Sequence, residues 1–144
     1  MSEIYEKVSS WFTTYVFILF ILMIIFKKKV NVYNQKIITC MTLSCAFLGF
    51  YIVRKYYNNI PDKYKWLSNM GDIICHILPT IYILFIMKKK NVKNNFGMFI
   101  LPLLFSLPYL YFYKPSEVYW ISGWSDKQLI ISLYVVYVLV LMLY

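Results

Sequence analysis

Charged residues and glycines are scarce in this chain. Charged side chains make up 15% of its 144 residues, and only four residues are glycine. Ordinary soluble domains carry about a quarter charged residues and collagen-like chains about one-third glycine, so neither class fits. Disordered segments combine low hydrophobicity with high charge, whereas this chain is 61% hydrophobic with a mean hydropathy of +0.61. The composition is typical of a membrane protein.

Cysteines are few, and acidic residues are outnumbered by basic ones. Cys40, Cys45 and Cys75 all lie in apolar stretches, and their odd number argues against a complete disulfide framework, so reduced, packed thiols are expected. Fifteen basic residues against six acidic ones give a net charge of +9. Many of the lysines flank apolar stretches, where lipid phosphate is the natural anionic partner, so we expect no nucleic-acid partner.

The apolar residues form five uncharged runs separated by polar connectors. In a helix, a run of about 17 residues covers about 25 Å, slightly under the ~30 Å hydrocarbon core of a bilayer. Helices are expected because the runs are continuously apolar and lack the alternation of barrel strands. The sequence predicts an all-α polytopic transmembrane helix bundle in one domain, 1–144, with five spans at about 11–26, 37–53, 69–87, 96–113 and 127–144.

Two connectors are rich in lysine and contain no acidic residue. Their lysines are Lys27, Lys28, Lys29, Lys36, Lys88, Lys89, Lys90 and Lys93. Short basic loops next to spans stay in the cytoplasm, so five spans place the C-terminus there and the N-terminus on the lumenal or exterior side. We expect both triple lysines to contact anionic lipid headgroups. Short spans suit a thin bilayer, which favours the endoplasmic reticulum or another intracellular membrane.

The tryptophans map to the face opposite the triple lysines. Tryptophan prefers the headgroup level, so Trp11, Trp66, Trp120 and Trp124 are expected to be interfacial anchors. An alternative is that the connector 114–127, which holds two of them, folds over as a lid or docking surface. The first residues include acidic side chains instead of a basic signal-peptide region, so the first span is expected to remain in the mature chain.

One ionisable pair falls within the third apolar run. Asp72 and His76 are four residues apart, which places them on one helical face, and Thr80 follows one turn later. An Asp at a span centre costs about 2.5 to 3.5 kcal/mol, so the pair predicts a site for a proton or a small polar ligand. Pro79 is expected to kink this helix and free the carbonyl of Cys75. Alternatively, Asp72 caps the N-terminus of the span and His76 bonds to a neighbouring helix.

The fourth run carries Pro102 and Pro108, so spans three and four are expected to enclose the polar site together. A metal site is not expected, because Cys75 and His76 are adjacent and point to different faces. No G-x-S-x-G, H-E-x-x-H, phosphate-binding loop or potassium-filter motif occurs in the sequence. We therefore expect no cofactor and no enzymatic activity.

These observations favour a structural, scaffolding or accessory protein of an intracellular membrane. Its expected partner is a bilayer with anionic headgroups. A second copy or another membrane protein is a further candidate partner, because Thr42 with Ala46 and Cys45 with Gly49 form small-xxx-small pairs that let helices approach closely. The alternative function is a small carrier or ligand-binding membrane protein that uses the Asp/His pair. A lipid enzyme with the histidine as base ranks last, because no second catalytic group is evident.

Overall fold

The computed structural model describes residues 2–89 and 91–144, which form 79% helix and contain no strand. Within these described residues, seven helices follow one another: α1 (Ser2–Ser9), α2 (Phe12–Ile25), α3 (Val32–Lys55), α4 (Asp62–Ile86), α5 (Phe96–Phe112), α6 (Pro115–Val118) and α7 (Asp126–Leu143). A 3₁₀ turn, Tyr57–Asn59, lies between α3 and α4. The predicted all-α class is confirmed.

Three helices are long and apolar enough to cross a membrane, namely α3, α4 and α7. The other two apolar helices are shorter, with 14 residues in α2 and 17 in α5. At 1.5 Å per residue, a helix of 14 residues covers only about 21 Å. The structure therefore supports three candidate spans, and the count of five stays a prediction.

Two helices begin earlier than the sequence predicts. α3 starts at Val32 instead of 37, where the Asn31 side chain accepts from the Asn34 amide at 2.8 Å. α4 starts at Asp62 instead of 69. The predicted bounds followed the apolar residues. The Asn31 cap sets the start of α3, whereas α4 begins after Pro61 without a side-chain cap, and polar residues continue both helices beyond the apolar runs. The alternative that Asp72 caps the third span is wrong, because Asp72 lies inside α4.

α3 is the central helix, and α2, α4 and α7 pack around it. In the most apolar 18-residue stretch of α3, 56% of the stretch is buried inside the protein, whereas the corresponding share is 22% in α4 and 17% in α7. The buried hydroxyls of α3 donate to carbonyl oxygens one turn earlier: Thr39 to Gln35 at 2.7 Å, and Ser44 to Cys40 at 2.6 Å. Because these hydroxyls are satisfied within their own helix, a relatively polar helix can occupy the core.

α4 contains two wide, π-helical stretches, Ile73–Ile77 and Tyr82–Ile86, on either side of Pro79. In the first stretch the Leu78 amide donates to the Ile73 carbonyl, five residues earlier. A proline ring collides with the carbonyl four residues before it, which is that of Cys75 here. The wider turns accommodate this collision without ending the helix, and the kink stays a prediction.

The two ends of the bundle differ in chemistry. At one end, the Lys36 ammonium donates to the Val92 carbonyl at 3.1 Å and the Lys89 ammonium to the Leu143 carbonyl at 3.2 Å, so both lysine-rich connectors lie beside the end of α7. At the other end, Trp11 packs with Leu67 and Val118. We call these the lysine end and the tryptophan end.

Candidate functional site: a buried Asp–His pair beside two cavities

Asp72 and His76 form a buried pair on α4. Asp72 Oδ1 and His76 Nδ1 are 2.7 Å apart, and the two residues are 5% and 6% exposed. At this distance the carboxylate holds the imidazole ring in one orientation. The sequence prediction that the two side chains share one helical face is therefore matched by a direct contact.

Gly49 of α3 provides the space for the imidazole ring. A methyl group at Gly49 would lie 2.4 Å from His76 Cε1 and 2.5 Å from Nε2, so any side chain there would collide with the ring. The edge of the ring that carries Nε2 thus lies directly over the backbone of α3. The small residue at position 49 serves contact within the chain, between α3 and α4.

Two adjoining cavities border His76, and the smaller one also borders Asp72. The larger, about 70 Å³, lies among α2, α3, α5, α7 and the connector before α7, with Gly49 and His76 in its wall. The smaller, about 30 Å³, lies toward the tryptophan end and is bordered by Trp11, Ser68, Asp72 and His76. His76 borders both, as do the side chains of Thr13, Ile52, Val53 and Tyr119. The imidazole therefore stands between a mainly apolar space and a more polar one.

Two buried nitrogens in this region have no hydrogen-bond partner among residues 2–89 and 91–144. They are Nε1 of Trp11 and Nε2 of His76. Trp11 is 7% exposed and borders the smaller cavity with the pair. Leaving a buried donor or acceptor unpaired costs about 1–3 kcal/mol, so each of these enclosed nitrogens destabilises the folded chain.

The connector before α7 closes the tryptophan end over the cavities. Tyr119 accepts a hydrogen bond from the Thr13 amide at 3.3 Å, and Val118 and Ile121 are buried. Burial raises the pKa of Tyr119 above its ordinary value, so the phenol stays protonated near neutral pH. Lys7 lies over the Trp120 ring, with Nζ 3.8 Å from its centroid, and burial lowers the pKa of this lysine. This packing matches the alternative in which the connector folds over the bundle.

Of the other predicted site residues, Trp11 and Trp120 also border the smaller cavity, and the rest lie outside both cavities. The Thr80 hydroxyl donates to the His76 carbonyl at 2.7 Å, so the helix backbone engages it. Of the tryptophans, Trp66 is 56% exposed and suits an interfacial anchor, whereas Trp11 is buried in the protein. The triple lysines are exposed at Lys27, Lys28, Lys29, Lys88 and Lys89, and Lys90 lies outside the described residues.

The sequence predicted that spans three and four enclose a polar pocket, but other helices also line the larger cavity. α3 contributes more of the larger cavity than α4 or α5, and most of the lining side chains are apolar. Pro102 of α5 borders a separate space of about 30 Å³. The pair is thus set against α3, because α3 lies at the centre of the bundle.

The sequence did not indicate that Gly49 contacts His76 or that Trp11 is buried in the protein. The small-xxx-small spacing of Cys45 and Gly49 was the available signal, but spacing within one helix does not say which helix packs on it. In the part of the chain that the structure describes, no three His, Cys, Asp or Glu side chains converge as a metal site requires. No protein-family model, curated protein or solved structure matches this chain.

Proposed function

We propose that this chain is a small multi-pass integral membrane protein with five spans, acting as a structural or accessory component of an intracellular membrane. The observation that carries the proposal is the exposure of large apolar side chains on the outward faces of the helices. On α2, α5 and α7 these side chains recur three or four residues apart: Ile18, Leu22 and Ile25; Leu101, Leu104 and Leu107; Ile131, Val135 and Leu139.

These stripes are costly in water. Fully burying one such side chain gains about 1.5–3 kcal/mol, and a folded domain is stabilised by only about 5–15 kcal/mol in total. Soluble monomers rarely expose contiguous apolar patches of more than a few hundred Å². Lipid tails remove the cost, because they surround apolar side chains without exposing them to water. The outward faces of this bundle are therefore suited to a bilayer.

The proposed orientation places the lysine end in the cytoplasm and the N-terminus on the lumenal or exterior side. It is supported by the arrangement in which both lysine-rich connectors and the end of α7 share one end of the bundle. Each lysine near an anionic membrane surface contributes about 1 kcal/mol, so the exposed lysines of both connectors together provide a strong electrostatic attraction to that leaflet.

A lipid-selectivity measurement tests the lysine contact. The reconstituted protein should be enriched in spin-labelled phosphatidylserine over phosphatidylcholine, and the triple change Lys27→Gln, Lys28→Gln and Lys29→Gln should reduce this enrichment. Lys114→Gln, an exposed lysine at the tryptophan end, is the matched control and should reduce it less. Equal enrichment in wild type and triple variant would contradict the proposed headgroup contact.

A second measurement separates a structural role from transport or lipid turnover. Proteoliposomes of the wild-type chain should show no more solute flux or lipid hydrolysis than proteoliposomes of the His76→Phe variant. Flux or turnover that the wild type supports and the variant lacks would replace the structural proposal with a carrier or an enzyme that depends on the pair.

A further inference from the structure

We propose that the lysine end is a docking surface for one lipid headgroup that carries two phosphomonoester groups. The headgroup lies where the two lysine-rich connectors meet, over the exposed side chains of Lys27 and Lys88. This inference rests on the proposed headgroup contact and names the class of lipid that makes it.

The fold brings together two lysine-rich connectors that are far apart in the sequence. Lys27 and Lys36 border the same small space as Lys88, about 10 Å³ in volume. The Lys36 ammonium, which is buried, donates to the Val92 carbonyl at 3.1 Å and so holds the second connector against α3. A space of this size holds about one water molecule. A phosphate group is larger, so it lies outside the space, where the exposed Lys27 and Lys88 reach it.

The lysines of this end lack a carboxylate partner among the described residues. At the tryptophan end, three lysines each pair with a carboxylate: Lys63 with Glu3, Lys65 with Asp62, and Lys114 with Glu117. At the lysine end, the exposed lysines form no ion pair within residues 2–89 and 91–144: Lys27, Lys28, Lys29, Lys88, Lys89 and Lys93. Like charges gathered at one place repel each other, so an anion held between them lowers the energy of the cluster.

A headgroup with two phosphomonoesters matches this concentration of charge. Each phosphomonoester carries about −1.5 to −2 charges at pH 7, whereas phosphatidylserine carries about −1 in total. One doubly phosphorylated headgroup therefore neutralises several lysines at once, whereas several phosphatidylserine molecules would have to gather at the same point. Basic pockets between helix ends on the cytoplasmic side of a membrane bind such headgroups. The surface described here lies among the ends of α2, α3, α4 and α7.

A titration of the full chain in detergent micelles tests the lipid class with defined probes. The probes are dioctanoyl phosphatidylinositol bisphosphate and dioctanoyl phosphatidylserine, and native mass spectrometry measures the bound fraction of each. One lysine near an anionic surface changes affinity about fivefold, the equivalent of about 1 kcal/mol. The bisphosphate engages at least two lysines more than phosphatidylserine does, so it should bind at least about tenfold more tightly.

Paired substitutions test whether the meeting point of the connectors binds the headgroup. Lys27→Gln with Lys88→Gln removes one lysine from each connector beside the shared space and should weaken binding of the bisphosphate at least about tenfold. Lys28→Gln with Lys93→Gln is the matched control, because it removes the same charge from the same connectors away from that space. It should weaken binding about threefold or less. All four side chains are exposed, so both variants should keep the circular dichroism spectrum of the wild type.

The outcomes distinguish this inference from the proposed function. Equal affinity for the two probes, with phosphatidylserine still enriched around the reconstituted protein, overturns the doubly phosphorylated headgroup and leaves the general lysine contact standing. Binding of neither probe, without that enrichment, overturns both. Equal losses in the two paired variants overturn the placement over Lys27 and Lys88, because net charge alone would then set the affinity. Tighter binding of a hexaglutamate peptide than of the bisphosphate also contradicts the inference, since it assigns the surface to an acidic protein.

Discussion

Replacing Gly49 by alanine tests the contact between α3 and the Asp–His pair. The added methyl group would lie 2.4 Å from His76 Cε1, so the ring must move or α3 and α4 must separate. Overpacking of a well-packed core costs about 1–3 kcal/mol, and losing the bond to Asp72 adds about 1.5–3 kcal/mol. We expect Gly49→Ala to lower the free energy of unfolding by at least about 2 kcal/mol.

The direction of this effect is opposite to the intrinsic preference of the backbone. In a helix interior, alanine is favoured over glycine by about 0.8–1.0 kcal/mol. If the imidazole alone causes the loss, Gly49→Ala in a His76→Ala background should be neutral or stabilising by up to about 1 kcal/mol. The double-mutant cycle then gives a coupling free energy of at least about 2 kcal/mol.

Unfolding in mixed micelles of dodecyl maltoside and SDS, followed by far-UV circular dichroism, measures these free energies. Gly97→Ala is the matched control, because a methyl group there comes no closer than 3.3 Å, to Asn95 Oδ1. The reasoning is refuted if Gly49→Ala is as stable as the wild type, or if it costs the same with and without the imidazole.

Three further predictions concern the same packing. Asp72→Asn keeps an acceptor for His76 Nδ1–H and should cost about 1 kcal/mol of unfolding free energy, whereas Asp72→Ala should cost about 3; equal costs would contradict a hydrogen-bonded pair. Gly71→Ala should cost about 1–3 kcal/mol, because its methyl group would lie 2.5 Å from Trp11 Cζ3, and a Trp11→Ala background should remove this cost. Lys36→Met should speed amide hydrogen exchange at residues 91–94 by releasing the Val92 carbonyl, whereas the exposed Lys28→Met should not; equal exchange in both variants would rule out this restraint.

The class of the fold was predictable from the sequence, whereas the ends of the helices were less so. Continuous apolar runs indicate helices, and each predicted run overlaps a helix of the structure. The runs do not show that α3 continues through Gln35 and Lys36, both of which are buried. Gln35 donates to carbonyls of the preceding connector, and Lys36 donates to the Val92 carbonyl, so connector backbone that hydropathy does not detect satisfies both side chains.

The candidate site was predictable only in part. Helical spacing alone brings Asp72 next to His76, because residues four apart share a face. The partner across the helix interface, Gly49, and the inward position of Trp11 depend on which helices pack together. Periodicity within a single helix carries no information on that pairing, and a tryptophan next to a span is as compatible with lipid as with a protein interior.

Cysteine labelling from one side of the membrane tests the central claim of the account most directly. In a background without the native cysteines, single changes at four exposed positions are treated with an impermeant maleimide: Glu6→Cys, Lys28→Cys, Lys93→Cys and Lys114→Cys. The account predicts that positions 6 and 114 react from the lumenal or exterior side and positions 28 and 93 from the cytoplasmic side. Reaction of positions 28 and 114 from the same side would contradict it.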